Sequence, residues 1–182
     1  MKLMSALSAV GLLLASAVFA ADKGECLDVG SAVGAFTVTD VTGPSAGKAL
    51  CYRCQFKDRP VVSIFTRQVN DELAKLVKHI DEVVGKNQTE KMAAFVVLLS
   101  DDPQAQEPKL KQLASRNGIK NTPLTTFDDK NGPPSYKLSK NADFTVMMWV
   151  NGELKVNETF TSGQLSEQTI SQVVQKTNTI LN

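Results

Sequence analysis

The chain has 182 residues, with 20 basic side chains, 19 acidic side chains and one histidine, for a formal net charge of +1. This balance of charge, with one Trp, two Tyr and no block of basic residues, argues against a nucleic-acid partner. Three cysteines are an odd number, so that either one thiol is left over or all three share a site.

The N-terminal segment, residues 1–20, has the pattern of a secretory signal peptide. Lys2 precedes an apolar run, and Val18 and Ala20 fit the two positions that direct cleavage. The run is too short to span a bilayer, and no later segment is long and apolar enough to do so. We therefore predict an exported protein, periplasmic or secreted, that is cleaved near Ala20, has no membrane anchor and folds as one domain over residues 21–182.

The first half of the remaining chain predicts two strands and a helix. Residues 35–43 alternate apolar and polar side chains before Gly-Pro, as in a strand that ends in a turn. Residues 59–67 are a β-branched run and are predicted to form the central strand. Asn70 then has the features of a helix cap, and apolar residues follow it at helical spacing until Gly85, where we expect the helix to end.

The second half continues the alternation of strands and helices. The predicted elements are a strand over 92–100, a helix over 107–118, a short strand over 122–129, a short helix over 133–142, a hairpin of 144–150 with 153–160, and a final helix from Ser166. The hairpin is the clearest signal, because Asn-Gly joins its two apolar runs. This order predicts an α/β fold with a central mixed sheet flanked by helices.

Three segments carry a resemblance to a known superfamily. Residues 27–43 (LDVGSAVGAFTVTDVTG) resemble the N-terminal opening of the redoxin branch, which contains alkyl hydroperoxide reductases and thiol-specific antioxidants. Residues 123–138 (PLTTFDDKNGPPSYKL) resemble a later stretch of that branch, and residues 145–160 resemble the thioredoxin hairpin. The chain is thus similar to the thioredoxin-like superfamily, nearest the redoxin branch. The resemblance implies a thioredoxin-like fold with an N-terminal strand extension.

The same resemblance locates the family's active site, whose standard residues this chain lacks. Where thioredoxins have C-G-P-C after the central strand, this sequence reads NDEL, so that Asn70 and Leu73 stand at the positions of the two thiols. Phe144 stands at the position of the cis-proline. No cysteine follows Arg67, where peroxiredoxins have their peroxidatic thiol. We therefore do not expect standard thioredoxin or peroxidase chemistry.

The cysteines remain as candidate site residues. Cys51 and Cys54 have C-x-x-C spacing but precede the central strand, so we expect them far from the family's site. One hypothesis is thiol–disulfide exchange by this displaced pair, acting on protein thiols and disulfides without a cofactor. Arg53, between the two thiols, would stabilise a thiolate by its positive charge. Cys26 would then resolve or reshuffle a mixed disulfide.

Two alternatives stay open. In the first, the chain is a non-catalytic binding module whose cysteines form a structural disulfide, either Cys51–Cys54 or one of these with Cys26. The bridge to Cys26 closes the longer loop and would stabilise the fold by about 3 kcal/mol on the chain-entropy model, more than the short bridge would. In the second, the three sulfurs bind a soft metal such as copper or zinc. His79 shares its helix face with charged residues and is expected to be an ordinary surface residue.

Overall fold

A seven-stranded mixed sheet organises the chain in our computed structural model, which describes residues 26–181. The predicted signal peptide lies outside these described residues. The strands are β1 (Val38–Asp40), β2 (Ala49–Leu50), β3 (Val61–Thr66), β4 (Ala93–Leu99), β5 (Leu124–Phe127), β6 (Phe144–Val150) and β7 (Glu153–Phe160). The helices are α1 (Tyr52–Phe56), α2 (Asp71–Lys86), α3 (Pro103–Asn117), α4 (Glu167–Lys176) and α5 (Asn178–Leu181).

The strands lie in the order β2-β1-β5-β4-β3-β6-β7, with β3 at the junction of parallel and antiparallel pairing. β3 pairs in parallel with β4 on one side and antiparallel with β6 on the other. Residues 30–33 run along β7: Gly30 N–H donates to Leu154 O at 2.8 Å, and Val33 N–H donates to Gly152 O at 2.9 Å. The predicted α/β class and mixed sheet are confirmed.

The sheet separates two hydrophobic clusters, because the side chains of β3 and β4 are buried on both faces. One face packs against α2, α3, α4 and α5, through residues such as Leu73, Leu110 and Ile170. The other face carries an aromatic cluster that includes Phe95 and Trp149, and it is covered by α1 and by irregular segments. The long helices therefore share one face, and the C-x-x-C segment lies on the other.

Helix α2 begins where the sequence predicts and ends one residue later. The side chain of Asn70 accepts a hydrogen bond from Leu73 N–H at 3.0 Å, which confirms the predicted cap. The prediction that Gly85 ends the helix is wrong: α2 runs through Gly85 to Lys86, and Asn87 Nδ2 donates to Val83 O at 2.8 Å. The glycine instead allows close approach, since a Cβ there would lie 3.1 Å from Asn121 Nδ2.

Four other elements differ from prediction. α3 begins at Pro103 rather than residue 107, because Asp102 accepts a hydrogen bond from Ala105 N–H and caps the helix earlier. The helix predicted over 133–142 is a single 3-10 turn, which stops where Lys137 adopts φ +48°. The sequence reasoning also missed β2 and α1.

Candidate functional site

The C-x-x-C motif forms a disulfide at the first turn of α1. Cys51 is the N-cap of this helix and Cys54 lies within it, with the two sulfurs 2.08 Å apart. Cys51 Sγ also accepts a hydrogen bond from Cys54 N–H at 3.0 Å. Cys54 is exposed, whereas Cys51 is half-buried. Cys54 is thus the more accessible sulfur for a thiol from solution.

Cys26 is free and is not brought to the disulfide. Its neighbour Leu27 accepts a hydrogen bond from Asn157 Nδ2 at 2.8 Å, far along β7 from the hairpin turn. The contact that joins this N-terminal segment to α1 is made by Val33, seven residues after Cys26. Cys26 thus takes no part in the disulfide, and its role in resolving a mixed disulfide stays a prediction.

The cysteines also do not assemble a cluster for a soft metal. Within residues 26–181, no group of three or more His, Cys, Asp or Glu side chains could hold a metal ion. The predicted surface position of His79 agrees with its place beside Glu167, at 3.8 Å between Nε2 and Oε2. The residues described also include no helix of the length and apolarity needed to span a bilayer.

Helix α1 is held in place by the aromatic residues that flank Cys54. The Tyr52 ring stacks on Phe56 at 5.1 Å between centroids and lies 5.4 Å from Phe95. The Tyr52 hydroxyl donates to Asp40 Oδ2 at 3.0 Å. Burial, and then the hydrogen bond to this carboxylate, raise the pKa of Tyr52 far above its usual value. A helix of one turn and a half is thereby fixed by its side chains, since alone it would be unstable.

Asp40 connects this helix to the preceding loop. Its carboxylate is 1% exposed and accepts backbone N–H groups from Gly43 at 2.7 Å and Ser45 at 2.8 Å. A Cβ on Gly43 would lie 2.5 Å from the Tyr52 hydroxyl and 2.6 Å from Asp40 Oδ2. The glycine is required because the tyrosine and the carboxylate fill the space beside it.

Arg53 attaches α1 to the hairpin end of the sheet. Its Nε donates to Val33 O at 3.1 Å, and its Nη1 donates to Lys57 O at 3.1 Å. A Cβ on Gly152, which has φ +74°, would lie 2.4 Å from Arg53 Nη2. The guanidinium predicted to activate the thiols is therefore engaged with backbone groups, and it positions the helix that carries them.

The family's usual site, at the other end of β3, is filled by polar contacts. Gln68 Nε2 donates to Asp143 Oδ1 at 2.6 Å, and Asn70 Nδ2 donates to Gln68 Oε1 at 3.1 Å. Leu73 and Phe144, at the positions of the resolving cysteine and the cis-proline, are both fully buried. The three residues at the family's positions thus serve as a helix cap and as core.

Two further side chains close this end of the sheet. Glu72 accepts N–H groups from Gly163 at 2.9 Å and Leu165 at 3.2 Å, which fixes the loop that enters α4. Arg67 Nε donates to Lys130 O at 2.9 Å, and its Nη1 donates to Ser139 O at 3.1 Å. Burial lowers the pKa of Arg67. These hydrogen bonds hold the loops in place. No cysteine is among the described residues at this site.

Tyr52 and Asp40 were missed by sequence reasoning. One available signal is the spacing of Tyr52 and Phe56, an i,i+4 aromatic pair that brackets Cys54 and is typical of a short helix with a buried face. The sequence around Asp40 indicates only a turn. It does not indicate the hydrogen bond with Tyr52, which is twelve residues away.

Comparison with known proteins supports the predicted fold, but it shows neither a family nor a relative of similar sequence. No family model matches the chain, and no curated protein matches it significantly. Many solved structures are similar. The thioredoxin domain of a thiol-disulfide oxidoreductase from Bacteroides vulgatus has a TM-score of 0.57 and 17% identity, over 81% of this chain and 99% of that one.

Peroxiredoxins match at a similar level. A peroxidoxin from Mycobacterium tuberculosis has a TM-score of 0.61 and 14% identity, over 84% of this chain and 97% of that one. A yeast mitochondrial 1-Cys peroxiredoxin has a TM-score of 0.63 and 12% identity, over 84% of this chain and 75% of that one. These similarities confirm the predicted thioredoxin-like fold.

Proposed function

We propose that this chain carries out thiol–disulfide exchange on protein thiols through Cys51 and Cys54, at a position displaced from the usual site of its fold. The observation that carries the proposal is the Cys51–Cys54 disulfide itself, in which Cys54 is an exposed residue. The thioredoxin-like fold and C-x-x-C spacing support the same chemistry. No metal or cofactor is required for it.

In this proposal each sulfur has a different part in the exchange step. A client thiolate attacks Cys54 Sγ, a client–Cys54 disulfide forms, and the Cys54–Cys51 bond breaks with its electron pair left on Cys51 Sγ. The hydrogen bond from Cys54 N–H, 3.0 Å from Cys51 Sγ, stabilises the leaving thiolate. A second client thiolate then attacks the client sulfur and releases Cys54. The client loses two electrons and the protein gains them.

The reduction potential of the Cys51–Cys54 pair tests the proposal. We expect a value of roughly −120 to −270 mV, the range of exchange-active pairs. We expect oxidised protein to convert a two-cysteine peptide to its disulfide and Cys54→Ser to abolish this reaction. Cys26→Ser is the matched control and should retain the full rate, because Cys26 is free in the structure.

A potential below about −300 mV, together with no peptide oxidation by the wild type, would overturn the proposal. That result would assign the bridge to the alternative function, a non-catalytic module with a structural disulfide. Mass mapping of the thiols after partial reduction gives an independent check, since a bridge that included Cys26 would contradict the exchange geometry described above.

Export is part of this proposal, because exchange on protein disulfides suits an oxidising compartment. The signal-peptide pattern of residues 1–20 supports it. We expect protein expressed from the full sequence to appear outside the cytosol with its N-terminus near Ala21. An intact N-terminus on the folded protein, retained in the cytosol, would contradict this part of the proposal.

A further inference from the structure

A cavity borders α1, the helix that carries Cys54, although neither Cys51 nor Cys54 lines it. We call it the α1 cavity; its volume is about 510 Å³. Four separate segments form its walls, namely residues 42–44, the α1 region from Tyr52 to Arg59, residues 92–93 and residues 119–123. A cavity of this size accommodates part of a peptide rather than a whole domain.

Buried carboxylates hold two of these walls in place. Asp40 fixes the 42–44 wall through Gly43 N–H and is also the acceptor for the Tyr52 hydroxyl, so this wall and α1 are joined. Asp81, 6% exposed, accepts N–H groups from Lys120 at 3.1 Å and Asn121 at 2.7 Å. Two of the four walls of the α1 cavity are therefore preformed.

Thr122 provides an unpaired hydrogen-bonding group in the lining. It is 2% exposed, and its hydroxyl has no hydrogen-bond partner among residues 26–181. Buried hydroxyls in folded proteins are nearly always paired, because an unpaired one costs free energy. The Thr122 hydroxyl is enclosed by protein atoms, so a bound peptide would reach it only after the lining shifted.

Two cations in the lining have no carboxylate to pair with. Arg59 Nε donates to Lys91 O at 2.5 Å, and its guanidinium carbon lies 5.0 Å from the Phe56 ring centroid. These contacts hold the Arg59 guanidinium against the Phe56 ring. Its hydrogen-bond acceptors are backbone carbonyls, so its charge is not neutralised by a carboxylate. In the described part of the chain neither Arg59 nor Lys120 forms a salt bridge, and no Asp or Glu lines the cavity. The charge of the α1 cavity thus favours an anionic group beside an apolar one.

We propose that the α1 cavity is the client-recognition site, which binds a polypeptide segment with an apolar side chain next to a carboxylate. The inference rests on the proposed function, since it supplies the substrate class for exchange at Cys54. The apolar side chain would contact Phe56 and Ile119, and the carboxylate would pair with Arg59. Neither Cys51 nor Cys54 lines the cavity, so a client segment has to pass around α1. A helix is about 10 Å across, a distance that about three extended residues cover, and these bring a client cysteine to Cys54.

Matched peptides test the proposal. One two-cysteine peptide carries Phe-Glu three residues from its first cysteine, and a second carries Phe-Lys there. Versions with serine in place of cysteine report binding alone, by fluorescence anisotropy. We expect the Phe-Glu peptide to bind at least about tenfold more tightly than the Phe-Lys peptide, as for one charge-assisted contact. Its oxidation should be faster by the same factor.

Variants locate the effect. Arg59→Gln should weaken binding of the Phe-Glu peptide by about tenfold. Lys57→Gln is the matched control, because it removes the same charge from an exposed residue at the end of α1 that does not line the cavity. If the Arg59→Gln variant does not fold, the Lys120→Gln variant is tested in its place.

The outcomes separate this inference from the proposed function. Equal binding of both serine peptides, or equal losses in Arg59→Gln and Lys57→Gln, would overturn client recognition by the α1 cavity. If both cysteine peptides were still oxidised, exchange at Cys54 would stand. Selective binding without oxidation would instead overturn the exchange proposal and leave a peptide-binding module.

Discussion

The two ends of β3 differ in what their side chains do. Before β3, α1 carries a disulfide whose Cys54 is exposed, and a cavity borders the same helix. After β3, where thioredoxins keep their reactive cysteines, Asn70 caps a helix and Leu73 is in the core. Hydrogen bonds from Glu72, Arg67 and Gln68 close the loops around that second end. The end before β3 carries the site that we propose for exchange. The side chains at the end after β3 stabilise the fold.

The difference shows that the C-x-x-C disulfide of this chain lies apart from the position at which thioredoxins have their reactive cysteines. The fold supplies a rigid sheet with loops at both ends, and either end can support a site. Here the N-cap position that a thioredoxin gives to a cysteine belongs to Asn70, while Cys51 is the N-cap of a different helix. The predictions below test whether the two ends are energetically independent.

The largest expected effect is at the structural end. Leu73 is 0% exposed, so Leu73→Ala should lower the free energy of unfolding by about 2–5 kcal/mol, through lost burial and a residual cavity. The reduction potential of Cys51–Cys54 should not change. Urea unfolding and redox titration measure the two quantities. Leu73→Met, which conserves volume, should cost less than about 1.5 kcal/mol. A shifted potential in Leu73→Ala would show that the ends are coupled.

A smaller loss is expected at the disulfide end. Tyr52→Phe removes the donor to buried Asp40, which keeps its backbone donors from Gly43 and Ser45, and should cost about 1–2 kcal/mol. The loss should be greater in reduced protein, where the disulfide no longer restrains α1. The reduction potential should therefore become more negative, which redox titration measures. An unchanged potential would mean that Tyr52 does not stabilise α1 selectively in the reduced state.

The two ends of β3 also differ in how much of their structure the sequence predicts. The strand around Phe65, the Asn-Gly hairpin and the Asn70 cap have local signals, because periodicity, turn chemistry and capping depend on neighbouring residues. The two-residue β2 and five-residue α1 are too short for periodicity to predict. The bond from Tyr52 to Asp40 and the four-segment α1 cavity depend on tertiary packing, which no local pattern specifies.

The helix cap at the structural end gives the next effect. Asn70→Ala removes the acceptor for Leu73 N–H and should cost about 1 kcal/mol, whereas Asn70→Ser keeps a capping oxygen and should cost little. Thermal unfolding measures both variants. Peptide oxidation should be unaffected in each. A loss of oxidation in Asn70→Ala at a temperature where the protein is folded would show that the family's usual position still contributes to exchange.

The smallest effect is a pH dependence that distinguishes the two tyrosines of the chain. Burial raises the pKa of both Tyr52 and Tyr136, and the Asp40 carboxylate raises that of Tyr52 further. An unfolded tyrosine has a pKa near 10, so the unfolded chain releases phenol protons above about pH 10 while the folded chain retains them. Stability should be unaffected by the tyrosines below that pH and should fall as the pH rises above it.

Tyrosinate absorbance against pH should accordingly rise only when the protein unfolds. Tyr52→Phe and Tyr136→Phe should each reduce the alkaline slope of stability, because each removes one group that titrates only in the unfolded chain. Tyr136 donates to Gly34 O rather than to a carboxylate, so its variant separates the contribution of burial from that of Asp40. A phenol that titrated near pH 10 in folded Tyr136→Phe would show that Tyr52 is accessible, and α1 would then open without global unfolding.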